Sequence, residues 1–147
     1  VARKQIKEVA VFAVPREIVY QVVADVARYP EFLPGMYSVK VRNGLVKMTV
    51  KKGPLQISWT NKGLYYPPER VVFELADGPF SVMDGSWTFE EVPEGTKVTY
   101  ELEYELLWPI PGAYMLVKAN AVSAMEAFKK RVHQLAAEKK QIDAPAT

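Results

Sequence analysis

Two periods of apolar and polar residues run along this chain, and the switch between them divides it into elements. From Tyr37 to Leu107 the period is two. Tyr37, Val39 and Val41 alternate with Ser38, Lys40 and Arg42, Asn43-Gly44 is a tight-turn signal, and Val46, Met48 and Val50 then alternate with Lys47, Thr49 and Lys51. After Gly53-Pro54, Leu55, Ile57 and Trp59 open a strand that runs on to Tyr66, where Pro67-Pro68 stops it. Val71, Phe73 and Leu75 mark a strand over 70–76, and Met83, Gly85, Trp87 and Phe89 share a face of another over 80–92. The alternation is cleanest over 96–107, where Val98, Tyr100, Leu102, Tyr104 and Leu106 oppose Thr99, Glu101, Glu103 and Glu105. Residues 3–13 add a first strand carrying Ile6, Val9 and Val11.

In two places the period lengthens to that of a helix. Pro15 opens a helix through about Ala27, with Ile18, Val19, Val22, Val23 and Val26 on its buried side. Five β-branched residues lower its propensity, so packing must hold it. The longer helix spans roughly 111–140. Tyr114, Val117, Ala121, Ala124, Met125, Phe128, Val132, Leu135 and Ala136 form one stripe along it. Between these helices, 28–35 is a proline-punctuated connection of short turns.

Strands with one wet and one dry face form an antiparallel sheet covered on a single side. Only the long C-terminal helix offers an apolar stripe large enough to cover it. The pattern therefore predicts an α+β domain over 1–140 in which a long helix covers one face of an antiparallel sheet, with a frayed tail over 141–147. A chain of 147 residues with 49% apolar content can build such a core without staples. Its lack of cysteine excludes disulfides and thiolate chemistry. A net charge of +2 does not by itself call for nucleic acid or membrane, and DNA is not an expected partner. With no long apolar run and charges interrupting the first ten positions, a cytoplasmic location is expected.

Three segments carry a family likeness. Asp25-Val26-Ala27-Arg28-Tyr29-Pro30-Glu31-Phe32-Leu33-Pro34, then Gly78-Pro79-Phe80 with Gly85-Ser86-Trp87-Thr88-Phe89, and finally Ala127-Phe128-Lys129-Lys130-Arg131 resemble signatures of the START-like superfamily. Within it, they resemble the coenzyme Q-binding protein COQ10 and polyketide cyclase group. The resemblance implies a helix-grip fold, a curved antiparallel sheet wrapped around the long C-terminal helix with an apolar cavity between them, and a hydrophobic ligand such as an isoprenoid quinone, a lipid or a polyketide-like molecule. Gly35-Met36 stands where many relatives place an aromatic residue and then a cysteine. The family also includes bacterial relatives described as ribosome-associated toxins.

Motifs for catalysis are sparse. His133 is the sole histidine, which excludes a multi-histidine metal site and leaves a surface role near a helix terminus as its reading. No nucleotide-binding glycine pattern occurs. Glu101, Glu103 and Glu105 share a face, but one opposite to the dry residues. Asp84 belongs by parity to the outer face, and Asp25 to local hydrogen bonding at the first helix's end. No catalytic residue, metal ligand or cofactor is assigned.

The candidate site is the dry space itself. Tyr37, Met48, Trp59, Phe73, Trp87, Tyr100 and Tyr104 would face Val117, Ala121 and Met125 of the helix. Many of these rings carry a polar atom, and the small Ala121 and Ala124 retreat from them. Patterning alone fits a pocket and close interdigitation equally; the resemblance favours the pocket. Tyr29, Phe32, Leu33 and Met36, with Trp108 and Ile110 before the long helix, are expected at its mouth. The leading expectation is non-catalytic binding or transport of a lipid or isoprenoid quinone, with transient membrane or ribosome contact. The alternatives are a polyketide cyclase or aromatase, and a ribosome- or protein-interaction module using Lys47, Lys51 and Lys52 or Lys129 and Lys130.

Overall fold

A computed structural model describes residues 3–143. Among them, seven strands make one antiparallel sheet: β1 (Lys4–Phe12), β2 (Met36–Arg42), β3 (Leu45–Lys52), β4 (Leu55–Tyr66), β5 (Arg70–Asp77), β6 (Phe80–Val92) and β7 (Gly95–Leu106). Their order, β1-β7-β6-β5-β4-β3-β2, is an unbroken meander from β2 to β7, with the first strand paired to the last. Two of its turns depend on backbone that glycine supplies. Asn43 and Gly44 both take positive φ in the β2–β3 hairpin, as a two-residue turn of matching twist requires. At Gly95 a Cβ would lie 2.2 Å from the Phe12 carbonyl, so only glycine lets the β6–β7 turn sit against the end of β1.

One helix, α1 (Arg16–Ala24), follows β1, and α2 (Ala113–Asp143) fills the concave side of the sheet. At about 1.5 Å per residue, 31 residues extend about 46 Å. The stripe expected on α2 is buried from Val117 through Val132, joined by Ala113 and Leu116. On the sheet, Val98, Leu102, Tyr104 and Leu106 are buried opposite Phe89, Gly85, Met83 and Phe80. The α+β helix grip is therefore the observed architecture.

Boundaries moved at three points. The first helix stops at Ala24 rather than Ala27, and the chain tightens into a 3₁₀ helix over Val26–Glu31. Pro30 lacks an amide hydrogen and disfavours α geometry at Tyr29, so an α ladder cannot continue. Tyr29 compensates by donating its hydroxyl to the Val23 carbonyl, one of those left open at the end of α1. The long helix continues through Asp143, past the tail expected from Gln141; residues 144–147 lie outside those described.

The third correction changes a predicted site residue. In β2 the register shifts between Met36, opposite Val50, and Ser38, opposite Thr49. Tyr37 is the extra residue of this bulge. Met36 takes the inward place, while Tyr37 turns out to 62% exposure with its ring 5.0 Å beneath the Lys51 ammonium.

Candidate functional site

Between the sheet and the first half of α2 lies a partly enclosed cavity of about 60 Å³. Its floor is the inward face of β3 to β7, including Met48, Trp59, Phe73, Met83, Trp87 and Tyr100. Val117, Asn120, Ala124 and Phe128 form the roof, and Tyr29, Leu33 and Met36 close one side. Each floor residue follows from the two-residue period, which repeats the inward direction along every strand.

Rings set its shape. Trp87 stacks on Tyr100, cross-strand neighbours with centroids 4.2 Å apart and planes 16° from parallel. Phe128 stands edge-on to Trp87, Tyr29 and Phe32 at 4.7, 5.2 and 5.2 Å. Opposite this rigid aromatic wall stand Met36, Met48 and Met83, whose unbranched thioethers can re-pack.

The fully buried amide of the lining is Asn61, at 3% exposure. Its Oδ1 accepts the Trp59 indole N–H at 2.8 Å, and its Nδ2 donates to the Met83 carbonyl at 2.9 Å. The backbone explains why it is needed. Strands β5 and β6 pair only from Arg70↔Thr88 to Phe73↔Gly85 and then part. Two side chains bridge the opening: Asn61 on the inner side, and Asp84 on the outer, where its Oδ1 accepts the Leu75 N–H at 2.8 Å. Asp84 thus keeps the outward position expected of it. At the roof, Asn120 donates to the Pro34 carbonyl at 2.8 Å and ties the 28–35 connection to α2.

Titration in the cavity is confined to phenols. Burial raises Tyr100, with a smaller effect from Tyr104. Burial likewise pushes Tyr29 well above the ordinary range, with lesser contributions from Tyr65, Tyr100 and Asp25. Both stay neutral across the physiological range. No Asp, Glu, His, Lys or Arg lines the cavity among the described residues.

Of the residues proposed from the sequence for a ligand site, Met48, Trp59, Phe73, Trp87, Tyr100 and Val117 line the cavity. Tyr37 does not, for the reason given. Tyr104 is buried but sits beside Tyr114, with centroids 5.8 Å apart, outside the lining. Ala121 and Met125 are buried but outside the lining, and Ala124 lines the space instead of Ala121. A straight helix turns by about 100° per residue, so neighbours on one stripe need not reach the same void. Met83, Gly85 and Leu102 could have been found by parity with Trp87 and Tyr100. Asn61 could too, being the next dry position after Trp59; nothing local marks Asn120.

Of the expected mouth, Tyr29, Leu33 and Met36 border the cavity and Phe32 packs behind on Phe128. Trp108 is 54% exposed, and neither it nor Ile110 lines the space. The 28–35 connection lies along α2 between Asn120 and Arg131, held by Arg131–Glu31 at 2.8 Å. The 108–112 approach instead precedes the first turn of the helix. His133 is half-buried and edge-on to Phe12 at 6.3 Å, away from the cavity. On the outer face Glu101 pairs with Lys7 at 3.7 Å and Glu103 with Arg3 at 3.3 Å.

An antiparallel sheet gripping one long helix, with apolar space held between them, defines the START-like class. Comparison with known proteins agrees. Residues 12–128 match the family model described as polyketide cyclase / dehydrase and lipid transport, and the chain belongs to that family. It is 30% identical over 138 residues to the ribosome association toxin RatA of Pseudomonas aeruginosa, an alignment covering 88% of this chain and 96% of that protein. RatA of Vibrio cholerae is 32% identical over 108 residues, covering 69% and 75%. Among solved structures, a protein of Thermus thermophilus superposes with a TM-score of 0.75 at 25% identity, covering 92% of this chain and 99% of that one. The Zhui aromatase/cyclase of a Streptomyces species superposes equally well, with a TM-score of 0.75 and coverage of 97% and 98%, but at 16% identity it attests the fold alone. No helix among the described residues is long and apolar enough to cross a membrane.

Proposed function

We propose that this chain is a macromolecular interaction module that associates with the ribosome. The observation that carries this is the similarity to the ribosome association toxin RatA, at 30% identity along 96% of that protein's length. The size of the cavity supports the same order of preference. An apolar cavity of about 150 Å³ takes a molecule such as benzene, and drug-sized ligands occupy about 300–1,000 Å³. At about 60 Å³ the present space holds neither a quinone nor a lipid without rearrangement. The carrier reading favoured from the sequence therefore yields to the interaction reading. A cyclase reading draws no support from the lining, whose hydroxyls at Tyr29 and Tyr100 are held neutral by burial.

The test is sedimentation of the purified protein with ribosomes and separated subunits through a sucrose gradient, over a range of salt concentrations. Cosedimentation that weakens as salt rises is the expected result. A protein that stays at the top of the gradient at every salt concentration would overturn the proposal.

A second reading rests on the three methionines of the lining. Met36, Met48 and Met83 can shift to enlarge the space, so a small apolar ligand could enter an expanded form. Mass analysis of extracts from the native protein checks this; protein that consistently yields no apolar molecule removes it.

A further inference from the structure

The outer face of the sheet is divided by charge. Six of the chain's 19 Lys and Arg, and none of its 17 Asp and Glu, fall between residues 36 and 66. That stretch, the three strands β2, β3 and β4, carries +6 while the rest of the chain nets −4. The six are Lys40, Arg42, Lys47, Lys51, Lys52 and Lys62, all exposed. None forms an ion pair with an acid among the described residues, whereas Lys7 and Arg3 on β1 and its flank are matched to Glu101 and Glu103.

Register aligns several of these side chains. Val46, Met48 and Val50 point to the core, so Lys47 and Lys51 point outward. Lys40 lies directly opposite Lys47, with Thr60 on its other side. Arg42, Leu45 and Lys62 form the next row, about 7 Å along the strands. Like charges directly opposed across a ladder are destabilising. Lysines on an edge strand guard against sheet-to-sheet pairing, which accounts for Lys40 and Arg42 on β2. That reason does not reach Lys47 and Lys51 on β3 or Lys62 on β4, which are interior strands. Glu74 sits opposite Lys62 and tempers that corner alone.

We propose that the outer face of β2–β4 is the docking surface for ribosomal RNA, its ammonium groups meeting backbone phosphates; this rests on the ribosome reading above. Duplex RNA is recognised by shape, through phosphates and 2′-hydroxyls on a wide, shallow groove, and an uncovered sheet face presents lysines and hydroxyls to such a surface. The ring of Tyr37, turned outward by the bulge, adds a platform on which an unpaired base can stack. Complementary charge selects the partner: a phosphate polymer neutralises the unmatched lysines of this face, which an electroneutral surface does not.

The experiment compares the parent with Lys40→Glu/Lys47→Glu/Lys51→Glu on the sheet and Lys129→Glu/Lys130→Glu on α2. Each is measured against ribosomes, a short RNA duplex and phosphatidylglycerol vesicles, and thermal unfolding checks folding. The sheet variant should bind ribosomes and duplex at least about tenfold more weakly, with the salt slope reduced by about three. The helix variant should bind as the parent does. A second variant separates docking from folding: Lys40→Glu alone places opposite charges across the ladder, so it should unfold no earlier than the parent yet bind RNA more weakly. If the parent sediments with ribosomes and the sheet variant does so equally, the docking face is wrong while the ribosome reading stands. If the parent never sediments with ribosomes but binds duplex through these lysines, the face stands and the ribosome reading falls. Binding by the parent to vesicles alone overturns both.

Discussion

Two stretches of the long helix meet the rest of the molecule differently. Phe128, the last helix residue in the cavity lining, and Val132 are buried to 1% and 0% exposure, and Phe12, Val19 and Val23 are likewise at 0%. Interlocked rings and β-branched residues leave little freedom there. Over 117–124, Val117, Asn120 and Ala124 line the cavity together with three methionines. The 128–132 stretch resembles an ordinary close-packed interior, in which each lost methylene is felt. Along 117–124, small and adaptable residues leave space, and the buried Asn61 amide across from them is satisfied by specific partners. The comparison implies that the fold depends chiefly on the 128–132 stretch and tolerates change along 117–124.

The largest expected effect lies in the packed 128–132 stretch. Phe128→Ala removes a ring that meets Trp87, Tyr29 and Phe32, and should cost about 3–5 kcal/mol in denaturant unfolding. A loss below about 1 kcal/mol would mean that the two stretches do not differ as described. Next is Asn61→Ala, which leaves the Trp59 indole N–H and Met83 carbonyl without their partner and should cost about 1–3 kcal/mol. Unchanged stability there would show that water replaces the amide at no cost.

A sharper comparison uses two alanines three residues apart. Ala121 is buried outside the cavity lining, so Ala121→Leu should overpack and cost about 1–3 kcal/mol. Ala124 faces the cavity, and Ala124→Leu should change stability by less than about 1 kcal/mol. Equal damage from both, measured by thermal unfolding, would mean that the cavity cannot be filled from the helix. The smallest effect near neutrality concerns the buried phenols. Tyr100 and Tyr29 ionise less readily folded than unfolded, so their contribution is complete below the unfolded tyrosine pKa of about 10 and declines as pH rises above it. Stability should be flat in this respect through neutral pH and fall in alkali, and Tyr100→Phe should shallow that fall. An unchanged alkaline slope would place the Tyr100 hydroxyl in water.

The sequence alone determined the order of elements, the antiparallel meander and the inward set that includes Met48, Trp59, Phe73, Trp87 and Tyr100. Those properties rest on local periods of about two and 3.6, which side-chain direction obeys wherever an element is regular. It also held Asn61 in plain view as a polar residue at a dry position. Tertiary structure decided the rest. A one-residue bulge exchanged Met36 for Tyr37, because pairing register is a property of two strands together. Whether Ala121 or Ala124 borders open space depends on how the sheet curves beneath the helix, and neither alanine's neighbours in the chain encode that curvature. The cavity's volume is a small remainder of many non-local contacts, so only the packed molecule sets it at about 60 Å³. The unmatched lysines of β3 and β4 were visible as letters, but only the sheet order made them interior strands sharing one outer face.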